Sequence, residues 1–289
     1  MKHILVMMSG VLILGLLTAC GQAKQPIPAL AHESQSLNSG GQPSAAHHEH
    51  GKHNESGGEA VKQKVSFGFT SGTAHAGNKE KLTIRIQDEH EAPVYQFRVN
   101  HEKLMHLIVV SRDLSFFNHI HPVYRGKGVF DVDLSFPAGG DYKLFTDFVP
   151  EGGKPAVLSE WVKVGGEARP SAPLKADSRL VTETEGIRID LTLGSAKPNQ
   201  DTMLTFRISD AKTGRGIDNL QPYLGTAGHV VILSADAEQY LHVHPVDEKA
   251  TGPVVQFSTS FPRAGLYKIW GQFQHQGKVL TAPFTVEVK

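Results

Sequence analysis

The chain holds one cysteine in 289 residues, and that scarcity excludes more chemistry than most of the residues present. Cys20 closes "LTAC", after a short basic start and the apolar run "ILVMMSGVLILGLL". That run is too short to span a bilayer comfortably and reads as a signal peptide over residues 1–19. The Leu17–Cys20 stretch, followed by Gly21, resembles the lipobox of bacterial lipoproteins. Cleavage would then precede Cys20, whose thiol carries lipid, and more than one acyl chain would hold the mature protein to the membrane. With Cys20 lipidated the folded part has no thiolate. That excludes a disulfide scaffold, a cysteine nucleophile and a blue-copper centre.

Methionine is almost as rare. Beyond the signal peptide only Met105 and Met203 remain, too few for a methionine-rich Cu(I) site. Net charge is absent as well: 29 Lys and Arg balance 29 Asp and Glu, and no basic stripe offers a footprint for nucleic acid. There is no phosphate-binding glycine loop, no serine elbow and no paired carboxylates of glycosidase type, so the expectation is a protein that is not an enzyme. No segment carries a helical apolar stripe of useful length.

What is present is alternation. Val65, Phe67 and Phe69 alternate with small or polar positions, as do Leu82, Ile84 and Ile86, and later Phe130, Val132, Leu134 and Phe136. Gly and Pro punctuate these runs, and the whole pattern then repeats. "KLTIRIQD" matches "MLTFRISD", "LMHLIVVSRDLSFFNHIHPV" matches "AGHVVILSADAEQYLHVHPV", and "SFPAGGDYKLFTDF" matches "SFPRAGLYKIWGQF". The expected fold is all-β: two tandem β-sandwich domains of immunoglobulin-like or cupredoxin-like type, over 62–166 and 180–289, joined by a linker over 167–179. Residues 20–61 are rich in Gln, Ser, Gly, Ala and His and read as a disordered, lipidated tether. Within it "HHEHGKH" gathers His47, His48, His50 and His53. Two readings stand for this tract, a solvated linker or a weak metal-gathering tail.

Histidine is the excess that balances these absences, with 16 in the chain. Each module carries one triple with the spacing H-x12-H-x-H: His106, His119 and His121 in the first, His229, His242 and His244 in the second. Side chains alternate along a strand, so the two histidines of each His-x-His share a face. A hairpin near Asp113 brings His106 opposite them in one register, and a one-residue slip sends it to the other face. In the favourable register three neutral imidazoles converge at the rim of each sandwich, a ligand set that suits Cu(II) or Zn(II) with a position left open. In the other, only a two-histidine corner remains. Possible fourth ligands are Asp147, Gln272 and His101; Asp147 and Gln272 occupy equivalent places, so that position is not kept as an acid. His101 has no counterpart in the second copy, and His275 reads as a solvated hairpin tip. Trp161 and Trp270 read as caps on the sandwich cores, and "FPAGGDY" and "FPRAGLY" as tyrosine corners.

At "HLIVVSRDLSFFNHIHPV" with "FPAGGDYKLFTDF" the sequence resembles the YtkA-like and FixH-like group of small extracytoplasmic bacterial domains. The resemblance implies a lipid-anchored or membrane-tethered β-sandwich on the extracytoplasmic side of the cell membrane, and favours Cu(II) over Zn(II). Some members of that group occur beside copper or cytochrome-oxidase machinery, so a membrane-bound metalloprotein or transporter is a candidate partner. The resulting expectation is a protein for metal capture, buffering or delivery, with one ion in each module. The rival is a metal-free interaction module of the cell envelope. A zinc hydrolase stands third, because no general acid or base recurs in both copies.

Overall fold

A computed structural model describes residues 62–289. The expected signal peptide over residues 1–19, Cys20 and the tract of His47, His48, His50 and His53 lie outside the described residues. In the first module the strands are β1 Gln63–Phe69, β2 Lys79–Asp88, β3 Phe97–Arg98, β4 Met105–Ser111, β5 Phe117–Ile120, β6 Val123–Gly126, β7 Val129–Ser135, β8 Gly140–Pro150 and β9 Ala156–Val164. In the second they are β10 Val181–Thr184, β11 Ile187–Leu193, β12 Asp201–Asp210, β13 His229–Ser234, β14 Tyr240–Val243, β15 Val254–Ser260, β16 Gly265–His275 and β17 Lys278–Val288. Among the described residues every regular element is a strand.

Each module is a pair of antiparallel sheets. In the first, β1-β2-β7-β6 faces β3-β8-β4-β5, with β9 added alongside β8. In the second, β10-β11-β12-β15 faces β14-β13-β16-β17. The alternating runs account for this layering. Val65, Phe67 and Phe69 pair with Ile86, Ile84 and Leu82, so one face of β1 and β2 is apolar throughout. These residues pack with Phe130, Leu134, Leu107 and Phe148 into the first core. Phe206, Phe257, Phe273 and Phe284 centre the second. Each such buried side chain contributes about 1.5–3 kcal/mol. The tyrosine corners form as the sequence suggests: Tyr142 donates its hydroxyl hydrogen to the Ala138 carbonyl and Tyr267 to that of Arg263, both at 2.9 Å.

A third apolar cluster belongs to neither sandwich. Ile108, Val110, Leu114 and Phe145 of the first module pack with Val231, Leu233, Ala237 and Trp270 of the second. The sheets carrying β4 and β13 are thus buried on both faces. Odd-numbered Met105, Leu107 and Val109 point into the first core, while Ile108 and Val110 point at the second module. This is why "HLIVV" and "HVVIL" are unbroken apolar runs instead of alternating ones. The packing is reciprocal. Phe117 stacks on Trp270 at 4.6 Å between ring centres, and Tyr240, at the place equivalent to Phe117, stacks on Phe145 at 5.1 Å. Lys143 crosses the same boundary, its buried ammonium donating to the Ala237 carbonyl and the Glu238 carboxylate, each at 2.8 Å. Trp270 therefore does not cap a sandwich core. A ring on the outer face of β16 meets the other module, and Trp161 packs beside the same cluster with Arg112 over its ring.

Candidate metal centre

Strand register decides where the histidines go. On β4 and β5 Leu107 pairs with Ile120 and Ile108 with His119. That register sets His106 opposite His121, and β13 and β14 repeat it, pairing Val230 with Val243 and so setting His229 opposite His244. Both hairpins thus take the register that brings all three rings to one face. That face is not a free rim, however. It is the face that β4 and β13 turn toward each other, so the two triples lie within one cluster between the modules. His106 sits 5.4 Å from His242 and 6.0 Å from His229, and His119 sits 6.1 Å from His229, all between ring centres. The expectation of two separate rim sites is corrected here, because the apolar residues next along each strand dock the faces together. Within the second module Gly228 lets the chain entering β13 lie close against β16: a side chain there would press to 2.7 Å from the Gln272 carbonyl oxygen.

The first triple is tightly gathered. One ligand atom from each of His106, His119 and His121 lies within 4.8 Å of the other two, a group that could hold a metal ion. His106 is fully buried and donates from Nε2 to the Asn100 carbonyl at 3.0 Å. His119 Nδ1 lies 2.7 Å from Gln272 Oε1, an oxygen contributed by the other module. With both outer hydrogens so placed, His106 Nδ1 and His119 Nε2 face each other at 3.0 Å as two lone pairs. His121 Nε2 is buried with no hydrogen-bond partner. Two facing lone pairs beside a third free nitrogen form a donor set that a cation among them would satisfy, and hydrogens turned outward onto oxygen acceptors are what metal-bound imidazoles use to fix their rings. The donor set fits a borderline metal such as Cu(II) or Zn(II).

Burial also keeps these rings neutral. It pushes His106 down to about 4, against the opposing pull of the Asn100 carbonyl. His121 falls to about 3 through burial, with His106 and Lys103 adding to it. His119 and His229 lie well below the ordinary histidine range, for burial first in both cases. Neutral imidazoles offer lone pairs without a proton to displace.

The second triple starts from the same pattern and departs from it. His229 Nδ1 and His242 Nε2 are again 3.0 Å apart, but His242 Nδ1 donates to the Asp147 carboxylate of the first module at 2.7 Å. The Tyr240 hydroxyl reaches the same carboxylate oxygen at 3.3 Å, and burial with that charge holds Tyr240 well above its usual pKa. His244 is exposed, and its ring centre lies 6.2 Å from that of His229, against 5.1 Å for His106 and His121. His101, reaching over from the first module, sits 4.1 Å from His244 and 4.9 Å from His229. His229 Nε2 is buried without a partner.

Sequence reasoning finds all six histidines and names Asp147, Gln272 and His101 as possible fourth ligands, but misses that each of them meets the other module. His101 joins the second module's triple, although it has no counterpart in the second copy. Asn100 and Gln272 supply the acceptors, and the unbroken apolar runs were the one signal that the histidine face is covered. Met105 points to the opposite face, into the first core. His275 is buried, not solvated, with Nε2 3.2 Å from Asn219 Oδ1.

DUF8832, a domain of unknown function, matches residues 45–166 and 182–289, which together include both sandwiches. The chain belongs to the DUF8832 family. No curated protein matches it. Among solved structures it is similar to FdeC, an Escherichia coli adhesin, at 15% identity and a TM-score of 0.27, covering 78% of this chain and 64% of that one. It is also similar to fibronectin(III)-like modules of Clostridium thermocellum CbhA, at 14% and 0.20, covering 77% and 92%. A third is invasin, a bacterial integrin-binding protein, at 8% and 0.22, covering 78% and 39%. The chain thus spans less than two thirds of the adhesin and invasin chains.

Proposed function

We propose that this family member is a lipid-anchored, extracytoplasmic metal-binding protein that captures one Cu(II) ion at His106, His119 and His121. The observation that carries this is the set of three nitrogens within 4.8 Å, two of whose rings spend their other nitrogen on an oxygen acceptor. An ion there supplies the positive charge that two facing lone pairs lack. Cu(II) is preferred to Zn(II) on the resemblance to YtkA-like and FixH-like domains. The lipobox at Cys20 supports the membrane anchor, and the histidines at 47, 48, 50 and 53 support a tail that gathers ions near the surface. Capture and hand-over to a membrane-bound metalloprotein or transporter is the role that follows, with no reaction catalysed.

The metal-free interaction module is the second reading, and one observation favours it. Gln272 Nε2 lies 3.1 Å from Thr281 Oγ1, a hydroxyl that donates as readily as it accepts. If the Gln272 amide turns over, its Nε2 donates to His119 Nδ1, and His119 Nε2 then donates to His106 without any cation. The two readings separate in one titration. The full chain in detergent, with His47, His48, His50 and His53 changed to Ala, is titrated with Cu(II) and with Zn(II) beside a variant also carrying His106→Ala, His119→Ala and His121→Ala. One tight Cu(II) equivalent lost in the variant supports the metal centre. Weak binding that is equal in both proteins leaves the interaction module.

A further inference from the structure

We propose that Gln272, from the second module, is a positioning residue for the ion held by the first, so that the docked pair of modules binds the ion more tightly than the first module alone. This rests on the metal reading above. Its starting point is a crossing of partners. On the strand ladders His106 pairs with Asp147 and His229 with Gln272, each within its own module. Yet neither side chain serves its own strand neighbour. Gln272 Oε1 meets His119 of the first module at 2.7 Å, and Asp147 Oδ2 meets His242 of the second at 2.7 Å.

The Gln272 side chain is suited to the task. The residue is 5% exposed, and its amide lies between His119 Nδ1, 2.7 Å from Oε1, and Thr281 Oγ1 on the next strand, 3.1 Å from Nε2. An acceptor on Nδ1 fixes the His119 tautomer with its lone pair on Nε2, the atom that faces His106 Nδ1. Separating the modules would take that acceptor away. His119 would then turn freely, and its Nε2 would carry the hydrogen in a share of the molecules. Metal affinity and module docking are therefore coupled, and each strengthens the other by the same factor.

The test uses the full chain in detergent with the four tail histidines changed to Ala. Gln272→Met removes the acceptor at similar volume, and Gln272→Glu keeps an oxygen acceptor. Cu(II) affinity is measured by competition with a chromophoric chelator, and the Cu(II) EPR spectrum is recorded for each protein. The expected result is a 10- to 100-fold loss of affinity and an altered spectrum in Gln272→Met, with Gln272→Glu within a few-fold of the parent. Parent-like affinity and spectrum in Gln272→Met overturn this inference, while loss on His119→Ala keeps the metal centre. Equal loss in Met and Glu variants also overturns it, because Glu keeps the oxygen acceptor and the acceptor would then not be what the site needs. A parent chain that binds no Cu(II) overturns both.

Discussion

The two histidine triples share one spacing, one strand register and one 3.0 Å ring contact, and still end in different chemistry. In the first, a neutral amide from the other module steadies His119, and all three rings are at least half covered. In the second, a carboxylate does the same for His242, and His244 stands exposed against His101. The histidines themselves do not make this difference. It comes from what the opposite module presents, an amide in one direction and an acid in the other. A repeated motif therefore fixes where lone pairs gather, and its partner across the interface decides what they hold.

Five changes break or sharpen that contrast. Trp270→Ala removes the ring that stacks on Phe117 in the inter-module cluster, and should cost about 3–5 kcal/mol in denaturant unfolding. Under the proposed coupling of docking and binding, its loss should also weaken Cu(II) binding. Next, His119→Ala should lower Cu(II) affinity at least about 100-fold, roughly 2.7 kcal/mol. His242→Ala, at the equivalent place, should lower it less than about tenfold by the same chelator competition, or roughly 1.4 kcal/mol. Asp147→Ala leaves the His242 Nδ1 hydrogen and the Tyr240 hydroxyl buried without an acceptor, and should cost about 1–3 kcal/mol of stability with the first ion little affected. The smallest effect belongs to His101→Ala. It should leave first-triple affinity within about threefold, or roughly 0.65 kcal/mol, and change only the environment of His244, visible in its imidazole NMR resonances.

The all-β class, the repeat and the two sandwiches are legible because period-2 alternation and turn residues are local signals. The six histidines are legible for the same reason, through their spacing. The docking of the modules is not, because a face buried by a distant segment looks in sequence like any apolar run. "HLIVV" is ambiguous between a strand in a thick core and one shared by two packed bodies. His101 illustrates a second limit. Its role depends on a contact with a module that begins more than seventy residues later, and comparing copies pointed away from it. Gln272 stands in the sequence as the mismatch to Asp147, and only the crossing of partners gives that mismatch a meaning.

The reciprocal stacking of Phe117 on Trp270 and Tyr240 on Phe145 has one further consequence. Contacts in which each half offers the other the same patch are how identical subunits associate about a two-fold axis. In such a dimer every substitution appears twice, so a change at the amide position would alter both sites together. Once the halves share a single polypeptide, each can vary by itself. One side can keep its amide while the other takes an acid. Covalent joining thus gives this protein the arrangement a homodimer cannot hold, two different half-sites facing each other at a fixed ratio of one to one.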